Sequence, residues 1–408
     1  MDVDSRELDG LKWNMPHLRK RHVLPQLIKK LRFSPVVAMQ GARQTGKSVL
    51  ARDILPATLK QSFYVTLDQF SKREFVQERP GVFLEQNADF RPLIIDEAQK
   101  APNIFDEIKH SVDQKRRPCR FLLLGSTEFS KLSRIRESLT GRMSRLRLFP
   151  LTVSETLDQL SSTKNLFGSL TKRSYCQRAQ LIKYLKKGGM PALFSVRDDS
   201  EWTLAAQDWL ELTVHRDCQQ FPSVKIDGEL CYRILQQIAI LEEPNAANLV
   251  KALKVNPRKL NTHLNVLQSL FVINALPPHS AGTGKTLFFL LDTGLAGFFC
   301  ASFERQLHTL ALSEILAFSS YFETKPTQIS YYRGSRQGLA HLVLESAEGT
   351  VVIKILQSET FDKRELEILK SFRKKYSGVK PRLLAFGPER FNLKDLQIEV
   401  YPWENLAL

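Results

Sequence analysis

The string GARQTGKS, Gly41 to Ser48, satisfies G-x-x-x-x-G-K-[ST] at every fixed position. The apolar run VVAM leads into it and VLARDIL, a helical pattern, follows, which is the context such a loop requires. Phosphate binding explains the residue types. Gly41 and Gly46 let backbone N–H groups curl around an anion without Cβ clashes. Lys47 is placed to reach the β and γ phosphates, Ser48 offers a hydroxyl to magnesium, and the helix N-terminus favours negative charge. The expected nucleotide-binding set is Gly41, Gln44, Thr45, Gly46, Lys47 and Ser48, with ATP and Mg²⁺ as the ligands.

Further along, PLIIDEAQ (92–99) is a strand that ends in two adjacent carboxylates. In an open α/β sheet the carboxyl ends of strands face the ligand crevice. Asp96 is therefore expected to hold the magnesium shell, and Glu97 to orient or deprotonate an attacking water. The next strand, FLLLGST (121–127), brings Ser126 or Thr127 to the same edge as a γ-phosphate sensor. ESLTGRMSRLRLFPLT (137–152) presents Arg142 after a glycine, a candidate to stabilise transition-state charge, with Arg43 and Arg145 as rivals. A second string, GTGKT (282–286), has His279 five places before Gly284 and no leading strand, so it reads as a hairpin turn.

These groups need a scaffold. Short apolar runs at Pro35–Met39, Phe63–Leu67, Leu93–Ile95, Phe121–Leu124 and Leu146–Leu151 alternate with helical segments, the pattern of a parallel sheet covered on both faces. The fold class expected is α/β, with a three-layer P-loop domain over 1–152, a helical linker over 153–227 and a winged-helix-like region over 228–278. A small α/β domain over 279–408 completes it. In the third region Asn256–Pro257 is a helix start. Leu260, Leu264 and Leu267 then repeat at helical spacing and leave Arg258, Lys259, Asn261 and Asn265 outward. Arg258, Lys259 and Asn261 are the expected nucleic-acid contacts. In the last region a helix at Leu307–Tyr321 precedes strands at Ile329–Arg333, Ala340–Glu345 and Val351–Leu356. A helix at Phe361–Tyr376 and strands at Arg382–Phe386 and Gln397–Val400 follow.

The 408 residues exceed one core, and 43% apolar with 25% charged residues argues against disorder. Lys and Arg total 59 against 43 Asp and Glu, a charge of +16 that favours polyanion partners. Five scattered cysteines without C-x-x-C spacing point to free thiols rather than a disulfide frame or a zinc site. The acidic start MDVDSRELDG is unlike a secretory signal, and the most apolar stretch, Leu287 to Cys300, is too short for a bilayer. A cytoplasmic protein without membrane association is expected.

GARQTGKS, LIIDEAQKAPNIFDEIK and LLLGSTEFS…ESLTGRMSRLRLFPLTVSE together resemble bacterial and archaeal AAA-type ATPases of the additional-strand class. More narrowly they resemble the subfamily in which the ATPase domain precedes a C-terminal domain of unknown function. GGMPALF (188–194), VHRD (214–217) and FFLLDTGLAGFF (288–299) extend the likeness. The resemblance implies Asp96 as magnesium ligand, Glu97 as catalytic base, Ser126 near the sensor position and Arg142 as arginine finger. It also implies a winged helix and a terminal domain similar to the PD-(D/E)XK nuclease fold. His341 stands where such relatives carry the first acid, and Lys354 and Leu356 where an acid and a lysine are expected. Glu314 is retained, while Glu345 and Glu359 fall at unsuitable positions. Without two carboxylates a divalent ion is poorly held, so the domain is expected to be a degenerate nuclease kept as a docking module. The function implied is a Mg-dependent ATPase acting on or with DNA. The alternative is a nucleotide-gated protein-interaction switch, and a finger supplied in trans would need an oligomer.

Overall fold

Five short strands build the first sheet, three of them runs of mostly apolar residues buried along their whole length. In a computed structural model they form β1 (Val36–Gln40), β2 (Phe63–Thr66), β3 (Leu93–Asp96), β4 (Phe121–Gly125) and β5 (Met143–Arg147). The structure describes residues 18–129, 139, 141–159, 176–221, 225–322, 327–334, 338–358, 363–376, 378–385, 391–393 and 396–406. By its internal contacts the chain divides into two units. One is Met1–Pro150 with Ser269–Phe271 and Ser320–Phe322; the other is Leu151–Gln268, Val272–Ser319 and Glu323–Leu408.

In the first unit the strands lie in the order β2-β3-β4-β1-β5, all parallel. β4 thus separates the strand before the phosphate loop from the strand carrying Asp96. β1, β3 and β4 are buried throughout, as sheets covered on both faces require. One face packs Val36, Ala38, Ile95 and Leu123 against Phe105 and Ile108 of α5 (Ile104–Gln114), which follows α1 (Val23–Phe33), α2 (Lys47–Val49), α3 (Phe70–Glu78) and α4 (Pro80–Gln86). Each such fully buried side chain contributes about 1.5–3 kcal/mol.

The last strand departs from expectation. The apolar run Leu146–Leu151 is not the strand; Met143–Arg147 pairs residue for residue with Val36–Gln40. As an edge strand β5 is half-exposed and mixed in polarity, so apolarity alone misplaces it. Leu148 N–H still reaches Gln40 O at 2.7 Å, and Pro150, which has no N–H to give, follows where the pairing stops.

The second unit begins with α6 (Val153–Thr156), α7 (Arg178–Lys187), α8 (Pro191–Phe194) and α9 (Asp199–Leu212). Residues 160–175 and 222–224 of the helical stretch lie outside the described residues. Three helices, α10 (Gly228–Ile240), α11 (Ala246–Leu253) and α12 (Pro257–Ser269), lead into an antiparallel pair, β6 (Ile273–Leu276) and β7 (Leu287–Leu290). Asn256 caps α12, its Oδ1 accepting from Arg258 N–H at 2.8 Å. Leu260, Leu264 and Leu267 are buried. GTGKT lies in the loop from β6 to β7.

After α13 (Thr293–Phe298) and α14 (Phe303–Phe322) comes a six-stranded sheet in the order β12-β13-β11-β10-β9-β8. β8 (Gln328–Arg333), β9 (Leu339–Ser346) and β10 (Gly349–Ile355) are antiparallel. α15 (Lys363–Lys375) then crosses to β11 (Val379–Ala385), parallel to β10 and to β13 (Ile398–Pro402), with β12 (Phe391–Leu393) at the edge. Val343, Val352, Leu369, Phe372 and Leu383 form its core. Among the described residues no helix is long and apolar enough to cross a membrane.

Candidate nucleotide site

Because β1, β3 and β4 run parallel, their carboxyl ends deliver Gly41–Ser48, Asp96–Glu97 and Ser126–Thr127 to one edge of the sheet. The loop's shape depends on two residues in left-handed conformation, Gln44 (φ 62°) and Gly46 (φ 95°). Such alternation turns successive N–H groups toward one point, a concavity for anions. Gly41 is tightly walled: a Cβ there would lie 2.2 Å from Leu148 O. Thr45 Oγ1 donates to Ala42 O at 2.9 Å. Buried Arg21 donates to Thr45 O and to Phe149 O, each at 2.7 Å, tying the loop to the segment after β5. Lys47 Nζ is buried and donates to Gly41 O and Ala42 O, both at 2.8 Å.

The acidic pair divides into two settings. Asp96 is 3% exposed; its Oδ1 accepts from Glu97 N–H at 2.9 Å and its Oδ2 accepts from the Tyr64 hydroxyl. Glu97 sits at φ 53°, an uncommon conformation for a non-glycine residue, and its Oε2 accepts from Ser126 Oγ at 3.1 Å and from Gln99 Nε2. Ser126 is therefore beside Glu97, and Thr127 Oγ1 is buried without a hydrogen-bond partner among the described residues. Burial first, then the Asp96 carboxylate, raises the Tyr64 pKa, so the phenol is a protonated donor at neutral pH. The donor set suits a nucleotide-bound divalent ion: a hydroxyl, a carboxylate and an anion-binding loop at one edge, all oxygen ligands on the protein side.

Residues 33–157 match the model of a family described as an AAA domain, and residues 178–305 match a domain of unknown function (DUF8612). The first stretch is thus similar to AAA-type P-loop domains. Uncharacterized proteins of Mycobacterium tuberculosis (Rv2008c) and Mycobacterium bovis (Mb2031c) are each 26% identical to the chain over 285 residues. That alignment takes in 68% of this chain and 59% of each relative, so the match spans under two thirds of their length. The Thermotoga maritima RuvB Holliday junction branch migration motor aligns at a TM-score of 0.28 and 17% identity, over 62% of this chain and 89% of that one. Protein VC1899 from Vibrio cholerae aligns at 0.22 and 11%, over 91% and 95%.

Arg142 is set away from the loop of its own chain. It immediately precedes β5, whose first residue pairs with the first residue of β1, so it lies at the amino end of the sheet, opposite the phosphate loop. There its guanidinium forms two bonds to Asp113, at 2.5 and 2.9 Å. It cannot serve its own loop. Arg145 is exposed on β5, and Arg43 lies in the loop itself.

In the second unit Arg258, Lys259 and Asn261 are exposed on α12 as expected, but Lys259 Nζ pairs with Asp227 Oδ2 at 2.9 Å. Glu314, retained on α14, is buried and accepts from Val153 N–H at 2.9 Å. It holds a helix start, and Glu345 pairs with His279 at 3.2 Å. Glu359 lies outside the described residues.

A grouping that sequence spacing hid is Glu304, His308 and His341, whose ligand atoms lie within 4.8 Å of one another beside a cavity of about 430 Å³. The two imidazole centroids are 3.8 Å apart, with the rings tilted by 40°. His341 Nδ1 accepts from Ile355 N–H at 2.8 Å, which places the proton of the neutral ring on Nε2 and leaves no lone pair for a cation. Burial lowers both pKa values, that of His308 to about 3. The group reads as a neutral packed pair rather than a metal centre.

Tyr64, Gln99 and Arg21 were also missed by sequence reasoning. Tyr64 had one available signal, a polar aromatic two residues before the end of the strand that neighbours β3.

Proposed function

We propose that this chain is a Mg-dependent ATPase in which the AAA domain hydrolyses ATP and the second unit engages DNA. The observation that carries the reading is the convergence of Lys47, Ser48, Asp96, Glu97 and Ser126 at the carboxyl edge of the sheet. Lys47 and the N–H groups of Gln44, Thr45 and Gly46 would bind the phosphates, and Ser48 and Asp96 would hold the magnesium. When bound, that ion neutralises charge on the β and γ oxygens. Glu97, presented by its left-handed backbone, would take the proton of a water, and Ser126 orients the Glu97 carboxylate.

The DNA reading is supported by the +16 charge and by three helices followed by a β-hairpin, an arrangement of winged-helix type. Arg258 and Asn261 on α12 are then the contacts, with Lys259 available only when it leaves Asp227. The six-stranded domain is proposed as a nuclease-like fold without a metal site, its acids absent or engaged in packing. The Lys259–Asp227 pair favours one second reading, a nucleotide-gated protein switch. Turnover of ATP with and without duplex and single-stranded DNA separates them. DNA that raises the rate, with binding that falls steeply as salt increases, supports the first reading. No binding at low salt and a rate indifferent to DNA would sink it.

A further inference from the structure

The Asp96 carboxylate is held by the phenol of Tyr64, which donates to Asp96 Oδ2. Strand register explains the reach. Thr66 pairs with Asp96 and Tyr64 with Ile94, so Tyr64, Thr66 and Asp96 share one face of adjacent strands. With Glu97 N–H on Oδ1 at 2.9 Å, both oxygens of Asp96 are engaged.

We propose that Tyr64 is a positioning residue that fixes the Asp96 carboxylate and competes with magnesium for it. The proposal rests on the nucleotide reading above. A hydroxyl bonded to a buried carboxylate is among the stronger hydrogen bonds in a protein, and an arriving cation has to displace or share it. The phenol thereby sets how much magnesium the site demands, while the phosphate loop sets affinity for the nucleotide itself.

Tyr64→Phe removes the hydroxyl and keeps the ring. ADP binding is measured by calorimetry for wild type and variant, first in EDTA and then across a magnesium series, with thermal melting as the check on folding. The expected result is an affinity in EDTA within twofold of wild type and a magnesium enhancement larger by roughly three- to tenfold, the net scale of one ordinary hydrogen bond. An enhancement that is unchanged or smaller, with ADP still bound, overturns the Tyr64 proposal alone. If wild type binds no ADP with or without magnesium, the nucleotide reading falls and this proposal falls with it.

Discussion

Asp96 and Glu97 are neighbours in the chain yet face different partners, because the backbone leaves strand geometry between them. Asp96 ends β3 in extended conformation and is fixed by Tyr64, whereas Glu97 at φ 53° swings its carboxylate to Ser126 and Gln99. Both carboxylates were legible in sequence because a strand-end acidic pair after a complete phosphate loop is a specific signal. Tyr64 and Gln99 were not, because their roles depend on register between strands and on a tight turn. Arg142 shows the converse. Its position after a glycine looked catalytic, but strand direction puts it at the wrong end of the sheet, in a solvent-exposed pair with Asp113. Arg142→Ala is expected to leave ATP turnover within about twofold and stability within about 0.5 kcal/mol, since exposed ion pairs contribute little. A loss of about 10³-fold in turnover, read in a steady-state assay, would instead place it at the nucleotide of a second copy.

At the scale of elements, two glycine-bearing motifs singled out in the sequence turn out to pack on each other. Gly189 N–H donates to Asp292 Oδ2 at 2.6 Å, and Asp292 Oδ1 caps α13 through Gly294 and Leu295 N–H at 2.9 and 3.2 Å. A Cβ on Gly294 would lie 2.5 Å from Lys187 O, and one on Gly188, which sits at φ 74°, 1.9 Å from Asp292 Oδ1. GGMPALF and DTGLAGFF are thus matched for close approach, a structural reason for residues that resemblance alone could only mark. Asp292 is fully buried, and burial raises its pKa to about 6 despite those N–H donors. The sign follows: the folded chain binds this proton more tightly than the unfolded chain. The stabilisation is complete below about pH 4 and is lost as pH rises through 6. Relative to Asp292→Asn, wild type should lose on the order of 2 kcal/mol between those values in urea titrations. A flat difference would show that the carboxylate is ionised throughout.

Across the whole molecule, the parallel sheet and the grouping of residues at its carboxyl edge were readable because buried strands write continuous apolar runs and the phosphate loop fixes its own context. The half-exposed edge strand β5 was misplaced, since its pattern is mixed. Contacts made by distant segments were invisible. His308 and His341 meet only through the packing of α14 on β9, and Lys259 finds Asp227 across thirty-two positions. Spacing could therefore name outward basic residues on α12 without revealing that one is already paired. The central claim, that the carboxyl edge of the first sheet hydrolyses ATP through Glu97, is tested most directly by single-turnover hydrolysis with wild type and Glu97→Gln, alongside nucleotide affinity. Loss of about 10²–10⁴-fold in the hydrolytic step with affinity held within a few-fold is predicted, the scale of a removed general base. Equal rates in the two proteins would contradict the account.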